Sequence, residues 1–241
     1  MSKINLFIAI ACMAGIFLSG CSNSSVRTSA LSGEDSVINA RIQSFAVVKL
    51  TTDLSKLTEK EKQMIPLLME AADIMDDLYW EQVIGSKSAF LDTIKDTLVR
   101  HFAQINYGPW ERLNGNKSFM VKFGEKPAGA NFYPQDMTKE EFEAWKEKDK
   151  TSQYTLVGRN NDKSLKLIWF HDAYKDKLGR AAEMLQKASE LAEDPGLKKY
   201  LALRANALVS DDYFASDMAW MEMKNNTIDI VIGPIENYED E

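Results

Sequence analysis

A carboxylate and a phenol two positions apart, Glu236 and Tyr238, are the side chains in this sequence whose spacing best suits chemistry. They follow Thr227-Ile228-Asp229-Ile230-Val231-Ile232, a β-branched run closed by Gly233-Pro234. Such a run reads as a strand that stops abruptly. In extended backbone, residues i and i+2 share a face, so both side chains point the same way. A carboxylate there accepts charge-assisted hydrogen bonds from a cation, and the phenol donates a hydrogen bond beside it. The plainer alternative is a solvated acidic tail, because Glu239-Asp240-Glu241 follows directly and acidic runs generally face water.

Metal chemistry finds little support in the residues. The sequence has 2 histidines; Phe102 follows His101 and Asp172 follows His171, so the His-Glu step of a helical zinc motif is missing. A catalytic zinc takes three protein ligands and keeps a fourth position open for water. Two histidines far apart in sequence do not supply that set, and no metal ligand is expected here. His101 falls in a helical pattern and His171 at a strand-to-helix junction, positions that suit structural or surface roles.

The segment Gly233-Pro234-Ile235-Glu236-Asn237-Tyr238 resembles the Gly-x-Ile-Glu-x-Tyr strand end of the dipeptidyl peptidase III family, zinc exopeptidases that remove dipeptides from peptide amino termini. Leu67-Leu68-Met69-Glu70-Ala71-Ala72-Asp73-Ile74-Met75-Asp76-Asp77 and Asn131-Phe132-Tyr133-Pro134-Gln135-Asp136-Met137-Thr138 also look like the bacterial branch of that family. Together these stretches extend the resemblance over most of the chain from about Phe45 onward. It implies that Glu236 binds the substrate's terminal ammonium. It implies that Tyr238 hydrogen-bonds near the scissile peptide, a role in both binding and catalysis.

The resemblance also implies a zinc cofactor in the full-length family member, held by a His-Glu-x-x-Gly-His helix and a later Glu-rich helix. Neither occurs in this sequence. The expectation is therefore the amino-terminal part of a larger two-lobed peptidase fold, from a truncated product or an incomplete gene model, binding no zinc by itself. Its partner would be the amino terminus of a peptide substrate. The competing function is a complete, non-catalytic cell-envelope lipoprotein that binds peptides or a protein partner.

At the amino terminus, Lys3 precedes an apolar stretch from Ile4 to Leu18, too short for a comfortable membrane span and placed where a signal peptide belongs. Leu18-Ser19-Gly20-Cys21 then resembles the bacterial lipoprotein box. Residues 1–20 are read as a lipoprotein signal peptide and Cys21 as the lipidated first residue of the mature protein. Acyl chains contribute about 0.8 kcal/mol per buried methylene and anchor a protein to the membrane without a spanning helix. Ser22, in place of Asp, points to the outer membrane of a Gram-negative cell envelope. Cys12 leaves with the signal and Cys21 carries lipid, so the mature chain has no disulfide and relies on packing.

Composition excludes one further class. The net charge is −7, and Lys and Arg are interleaved with acids, without the basic face a nucleic-acid binder presents. No nucleic-acid partner is expected.

The elements that must position Glu236 and Tyr238 begin after a Ser- and Thr-rich tether over 21–36, with one α+β unit over 37–241 that is predominantly helical with a few strands. A strand is expected at Ser44 to Thr51. The capping box Thr58-Glu59-Lys60-Glu61 opens a long helix toward Gly85, with Pro66 inside it as a site for a kink or a later start. A second helix runs from about Ser88 to Ile105. An aromatic, Gly- and Pro-rich loop region occupies Tyr107 to Asp136, and Thr138-Lys139-Glu140-Glu141 caps a short helix through Lys148. Tyr154 to Val157 and Leu165 to Phe170 read as a hairpin. Helices over 173–192, 197–209 and 211–224 follow, the last capped by Asp211 or Ser210 and filling the core with Met218, Met221 and Met223.

Overall fold

The computed structural model describes residues 33–235 and Glu239; the stretch read as a signal peptide, Cys21, Glu236 and Tyr238 lie outside the described residues. Helix α1 (Gly33–Gln43) starts within the stretch read as tether. Helix α2 (Glu59–Val83) carries the expected capping box: Thr58 Oγ1 accepts from the Glu61 N–H at 3.2 Å, and Glu61 Oε2 accepts from the Thr58 N–H at 2.8 Å. Pro66 stays inside α2. An interior proline costs about 3 kcal/mol, but burying Met64, Leu68, Ile74 and Leu78 along the same face returns about 1.5–3 kcal/mol each.

The expected second helix is divided into α3 (Lys87–Asp92) and α4 (Thr97–Asn106). Asp96 causes the division, because its Oδ1 accepts from the Leu98 and Val99 N–H groups, both at 2.9 Å, and starts α4 afresh. Within the loop region, β1 (Trp110–Glu111) pairs antiparallel with β2 (Lys117–Ser118). Helix α5 (Lys139–Ala144) is capped by Thr138 and ends before Lys148 is reached. The hairpin forms as β3 (Thr155–Arg159) against β4 (Leu165–Trp169), with Thr155 opposite Trp169 and Arg159 opposite Leu165. Then come α6 (Phe170–Ala173), α7 (Lys175–Leu191), α8 (Pro195–Leu208) and α9 (Phe214–Glu222).

The architecture is α+β and dominated by helix. Helix α7 packs on both α2 and α8, and α8 on α9. Met64, Leu185 and Leu201 are wholly buried in one core that also takes in Phe132, Phe170 and Tyr200. A smaller aromatic cluster around Trp80, Phe90 and Leu91 joins the carboxyl end of α2 to α3.

Three expectations are corrected. Residues 44–51 form no strand, and Val47, Val48 and Leu50 are exposed, because a strand needs a hydrogen-bonded neighbour and no described segment pairs with this one. The run Thr227 to Ile232 likewise enters no sheet. It keeps the strand period in its burial: Ile228, Ile230 and Ile232 turn inward while Thr227, Asp229 and Val231 stay exposed. Finally, α9 starts at Phe214 with no side-chain cap, and its Met218, Trp220 and Met221 face out of the core.

Candidate functional site

Gly233-Pro234-Ile235, the residues immediately before Glu236, close one wall of a cavity of about 460 Å³. Met75, Leu78 and Tyr79 form the α2 side, Phe132, Phe170 and Tyr174 the floor, and Tyr213 the end nearest Gly233. Gln82 and Gln153 add the amide groups of the lining. Among the described residues, none of the lining side chains is a carboxylate, ammonium or guanidinium group. Burial pushes the Tyr174 phenol up to about 12 and raises Tyr213 and Tyr79 as well. These phenols stay neutral at physiological pH. The described lining therefore suits an uncharged, aromatic or aliphatic group.

The wall at Gly233 depends on the glycine. Its φ is +117°, and a Cβ there would lie 3.4 Å from both Arg204 Nη1 and Tyr213 Cε1. Arg204 is 2% exposed. Its Nη2 pairs with Asp217 Oδ1, and its guanidinium lies 5.4 Å from the Tyr200 ring centre and 5.2 Å from that of Tyr213. Contact with two phenol rings lets a buried guanidinium be held with few hydrogen bonds, since Nε and Nη1 have no hydrogen-bond partner among the described residues. Arg204 thus supports the backbone of the terminal segment from beneath.

Past Glu236 and Tyr238, the structure places Glu239 in a site of its own. The sequence reading put this residue in a possible solvated acidic tail; the structure instead leaves its side chain only 3% exposed. Tyr79 Oη donates to Glu239 Oε1 at 2.7 Å, and Arg112 Nη1 donates to the same oxygen at 2.5 Å. Lys126 Nζ, itself 7% exposed, lies 2.9 Å from Oε2 as an ion pair, close in distance but not aligned as a hydrogen bond. Burial works to raise the Glu239 pKa; the hydrogen bonds from Tyr79 and Arg112 and the ammonium of Lys126 outweigh it and hold the carboxyl below the usual range. Arg112 also lies 5.4 Å from the Tyr79 ring centre and 6.0 Å from that of Tyr107. Tyr107 in turn donates to Asp76 Oδ1, and Lys87 donates to Asp76 Oδ2, both at 2.7 Å. Asp76 thus has a structural role, in accord with its position on a helix face beside Tyr79.

The histidines do not meet: His101 is exposed on α4, and His171 lies on α6. His171 Nδ1 is 2.7 Å from Asp211 Oδ2, which also accepts from the His171 backbone N–H at 3.1 Å. That is where Asp211 goes instead of capping α9; at φ +57° it turns toward α6. Burial raises its pKa despite the His171 contacts, and Oδ1 has no partner. Among the described residues, no group of three His, Cys, Asp or Glu side chains is placed to hold a metal ion. The donors among the described residues do not make up the ligand set of a catalytic zinc.

Sequence reasoning found the segment that borders the cavity but not the partners of Glu239. Tyr79, Arg112 and Lys126 are distant from Glu239 and from one another in sequence, and no local pattern links them.

No family model matches the chain. The solved structure of dipeptidyl peptidase III from Caldithrix abyssi is 41% identical and superposes with a TM-score of 0.79, covering 84% of this chain and 40% of that one. Dipeptidyl-peptidase III from Corallococcus sp. strain EGB gives 32% identity and a TM-score of 0.73, covering 79% of this chain and 38% of that one. An Arabidopsis thaliana protein named Nudix hydrolase 3 is 32% identical in an alignment that covers 85% of this chain and 34% of that protein. The chain is dipeptidyl peptidase III-like in sequence and fold over most of its length, and it spans between about a third and two fifths of each of these relatives.

Proposed function

We propose that this dipeptidyl peptidase III-like chain provides the peptide-binding wall of a zinc-dependent dipeptidyl peptidase. In this reading Glu236 pairs with the terminal ammonium of the substrate, and Tyr238 hydrogen-bonds near the scissile peptide. A side chain near the peptide's amino terminus enters the cavity lined by Tyr79, Tyr174 and Tyr213. The observation that supports it is the continuity of Gly233-Pro234-Ile235, a wall of an uncharged aromatic cavity, with the acidic residue that follows in sequence. An apolar cavity holds the side chain; a carboxylate at its edge selects the charged end. Together these are the minimum an aminopeptidase needs to measure distance from the terminus.

Zinc belongs to this reading only through the family, where it would supply the activated water. The described residues hold no ligand set for it, so binding and orientation are what this chain contributes. Both the plant relative's name and the peptidase names describe proteins of which this chain matches a minor part. Lipid attachment at Cys21 and residence in the cell envelope, at the outer membrane, complete the proposal. Fatty-acid label that persists after Cys21→Ser would contradict the anchor.

The test of peptide binding compares Ala-Phe amide with its N-acetylated form by calorimetry on the 241-residue chain. A charge-assisted hydrogen bond is worth roughly 1.5–3 kcal/mol, so acetylation should weaken binding by about 10- to 100-fold. Glu236→Gln should erase most of that difference. Equal affinity for the two peptides in the unmodified chain would remove the ammonium site. If the amide binds but acetylation and Glu236→Gln leave its affinity unchanged, the peptide-binding lipoprotein without terminus recognition becomes the better account.

A further inference from the structure

Two walls of the cavity belong to different packing neighbourhoods. Phe170 and Tyr174 lie at the two ends of α6, which packs on β3, β4 and α7, while Tyr213 comes from the turn between α8 and α9, helices that pack on one another. Across the divide the Tyr154 and Tyr213 rings meet at 4.9 Å. A directional polar link crosses it as well: His171, next to Phe170, meets Asp211, two residues before Tyr213.

Asp211 combines three features that oppose folding. Its side chain is 1% exposed, Oδ1 has no hydrogen-bond partner among the described residues, and its φ of +57° lies in the left-handed region. Capping α9 would explain none of them, because α9 starts at Phe214 without a side-chain cap. Asp211 instead holds His171 at two points: Oδ2 accepts from the backbone N–H at 3.1 Å and lies 2.7 Å from Nδ1. An ionised carboxylate only accepts, so Nδ1 carries the hydrogen. On its other sides the imidazole stacks on Trp169 at 22°, and Nε2 lies 3.6 Å from Asp172 Oδ2. A strained, buried residue of this kind persists where its surroundings over-determine it, and such residues gather at ligand sites.

We propose that His171 and Asp211 are positioning residues: their contact ties α6 to the turn between α8 and α9, sets the separation of Phe170 and Tyr174 from Tyr213, and so limits the size of the uncharged group that the cavity admits. Neither residue lines the cavity, so both act through their neighbours. For a peptide, the limit on side-chain size rests on the peptide-binding reading; the coupling of the two walls does not. A cavity whose walls are held apart at a fixed distance discriminates by size, because a group that is too large must break the contact to enter.

Two uncharged probes of different size, benzyl alcohol and naphthylmethanol, test it on the 241-residue chain, with binding followed by the ring resonances of Tyr174 and Tyr213. Asp211→Gly deletes the carboxylate at a backbone conformation that glycine adopts freely. It should shift the affinity ratio about tenfold toward naphthylmethanol. Asp211→Asn keeps an acceptor in the same place and should stay within about twofold of the unmodified chain. His171→Phe keeps the ring and the backbone N–H but loses Nδ1; it should shift the ratio in the same direction as Asp211→Gly, and it serves if that variant folds poorly. A merely structural role would weaken both probes equally and leave the ratio unmoved.

A spectroscopic signature accompanies the ratio. The His171 Nδ1–H should give a slowly exchanging ring-proton resonance in the unmodified chain and in Asp211→Asn, absent in Asp211→Gly. A ratio unchanged in both Asp211→Gly and His171→Phe, an Asp211→Asn chain that changes as much as Asp211→Gly, or probes that leave the two rings unmoved in the unmodified chain would each overturn the proposal. Should the ratio shift as stated while Ala-Phe amide does not bind, the coupling of the walls stands and the peptide-binding reading falls. If Ala-Phe amide binds and the ratio does not move, the coupling alone falls.

Discussion

Helices α2, α7 and α8 close their own backbone hydrogen bonds and wholly bury Met64, Leu185 and Leu201 between them, whereas the segment from Thr227 to Ile235 is irregular and forms no strand ladder with any described residue. Side chains fasten that segment instead. Ile228, Ile230 and Ile232 lean into the helical core, Gly233 lies against Arg204, and Glu239 is caged beyond it. One region is stabilised by area and local geometry, the other by a few specific contacts. The difference teaches where function can be tuned at low cost to the fold, since the segment bordering the cavity can loosen while the helical body stays intact.

The largest expected effect falls on the body. Leu201→Ala removes a fully buried side chain and should cost about 2–5 kcal/mol, read as a lower urea midpoint for the whole chain. Hydrogen exchange should rise in α2, α7 and α8 together. A loss confined to the terminal segment would break the comparison, because it would mean that the two regions do not differ in cooperativity.

A smaller loss, about 1–3 kcal/mol, is expected for Gly233→Ala, from a φ of +117° that an L side chain rarely adopts. Here the amides of Ile230 and Ile232 should exchange faster while Leu201 remains protected. The affinity for Ala-Phe amide should fall with them. If instead the global midpoint drops as far as in Leu201→Ala, the terminal segment is part of the same cooperative unit as the helices.

Acid sharpens the same contrast through two buried carboxyls shifted in opposite directions. Glu239 has a folded-state pKa below its ordinary 4.5, so its contribution is complete above about that pH and is lost as pH falls through the depressed value. Asp211 has a folded-state pKa above its ordinary 3.8. It therefore weakens the α6–α9 junction as pH rises from about there through the raised value, and that cost is relieved on acidification. Between neutral and acid pH, methyl resonances of Ile230 and Ile232 should broaden as the terminal segment loosens, and Glu239→Gln should remove that pH dependence. Asp211→Asn should leave it in place. Loosening that disappears in Asp211→Asn and persists in Glu239→Gln would assign the transition to the wrong carboxyl.

How much of this was legible beforehand follows from the range of the interactions. The capping box at Thr58, the side-chain cap at Thr138, the hairpin of β3 and β4 and the helix stop at Gly85 depend on neighbours within a few residues, and the sequence carries them directly. The strand at 44–51 was misread because propensity names a conformation and a sheet requires a partner. Asp211 was misassigned as a cap because His171, forty residues away, competes for its carboxylate. Glu239 was the instructive omission. Its place in an acidic run suggests solvent, and only the fold shows that Tyr79, Arg112 and Lys126 meet there. The segment through Ile235 was found from local pattern and resemblance, while the aromatic cavity beside it is assembled from six stretches of chain.

The central proposal is that the amino-terminal portion of a peptide is bound in the cavity walled by Gly233-Pro234-Ile235, and intermolecular nuclear Overhauser contacts test it most directly. With Ala-Phe amide bound to the chain, the account predicts contacts from the peptide's side chains to the ring protons of Tyr79, Tyr174 and Tyr213, diminished in Glu236→Gln. Contacts that map to the separate groove around Pro127, Pro134 and Phe142, with the Tyr174 and Tyr213 rings untouched, would contradict it.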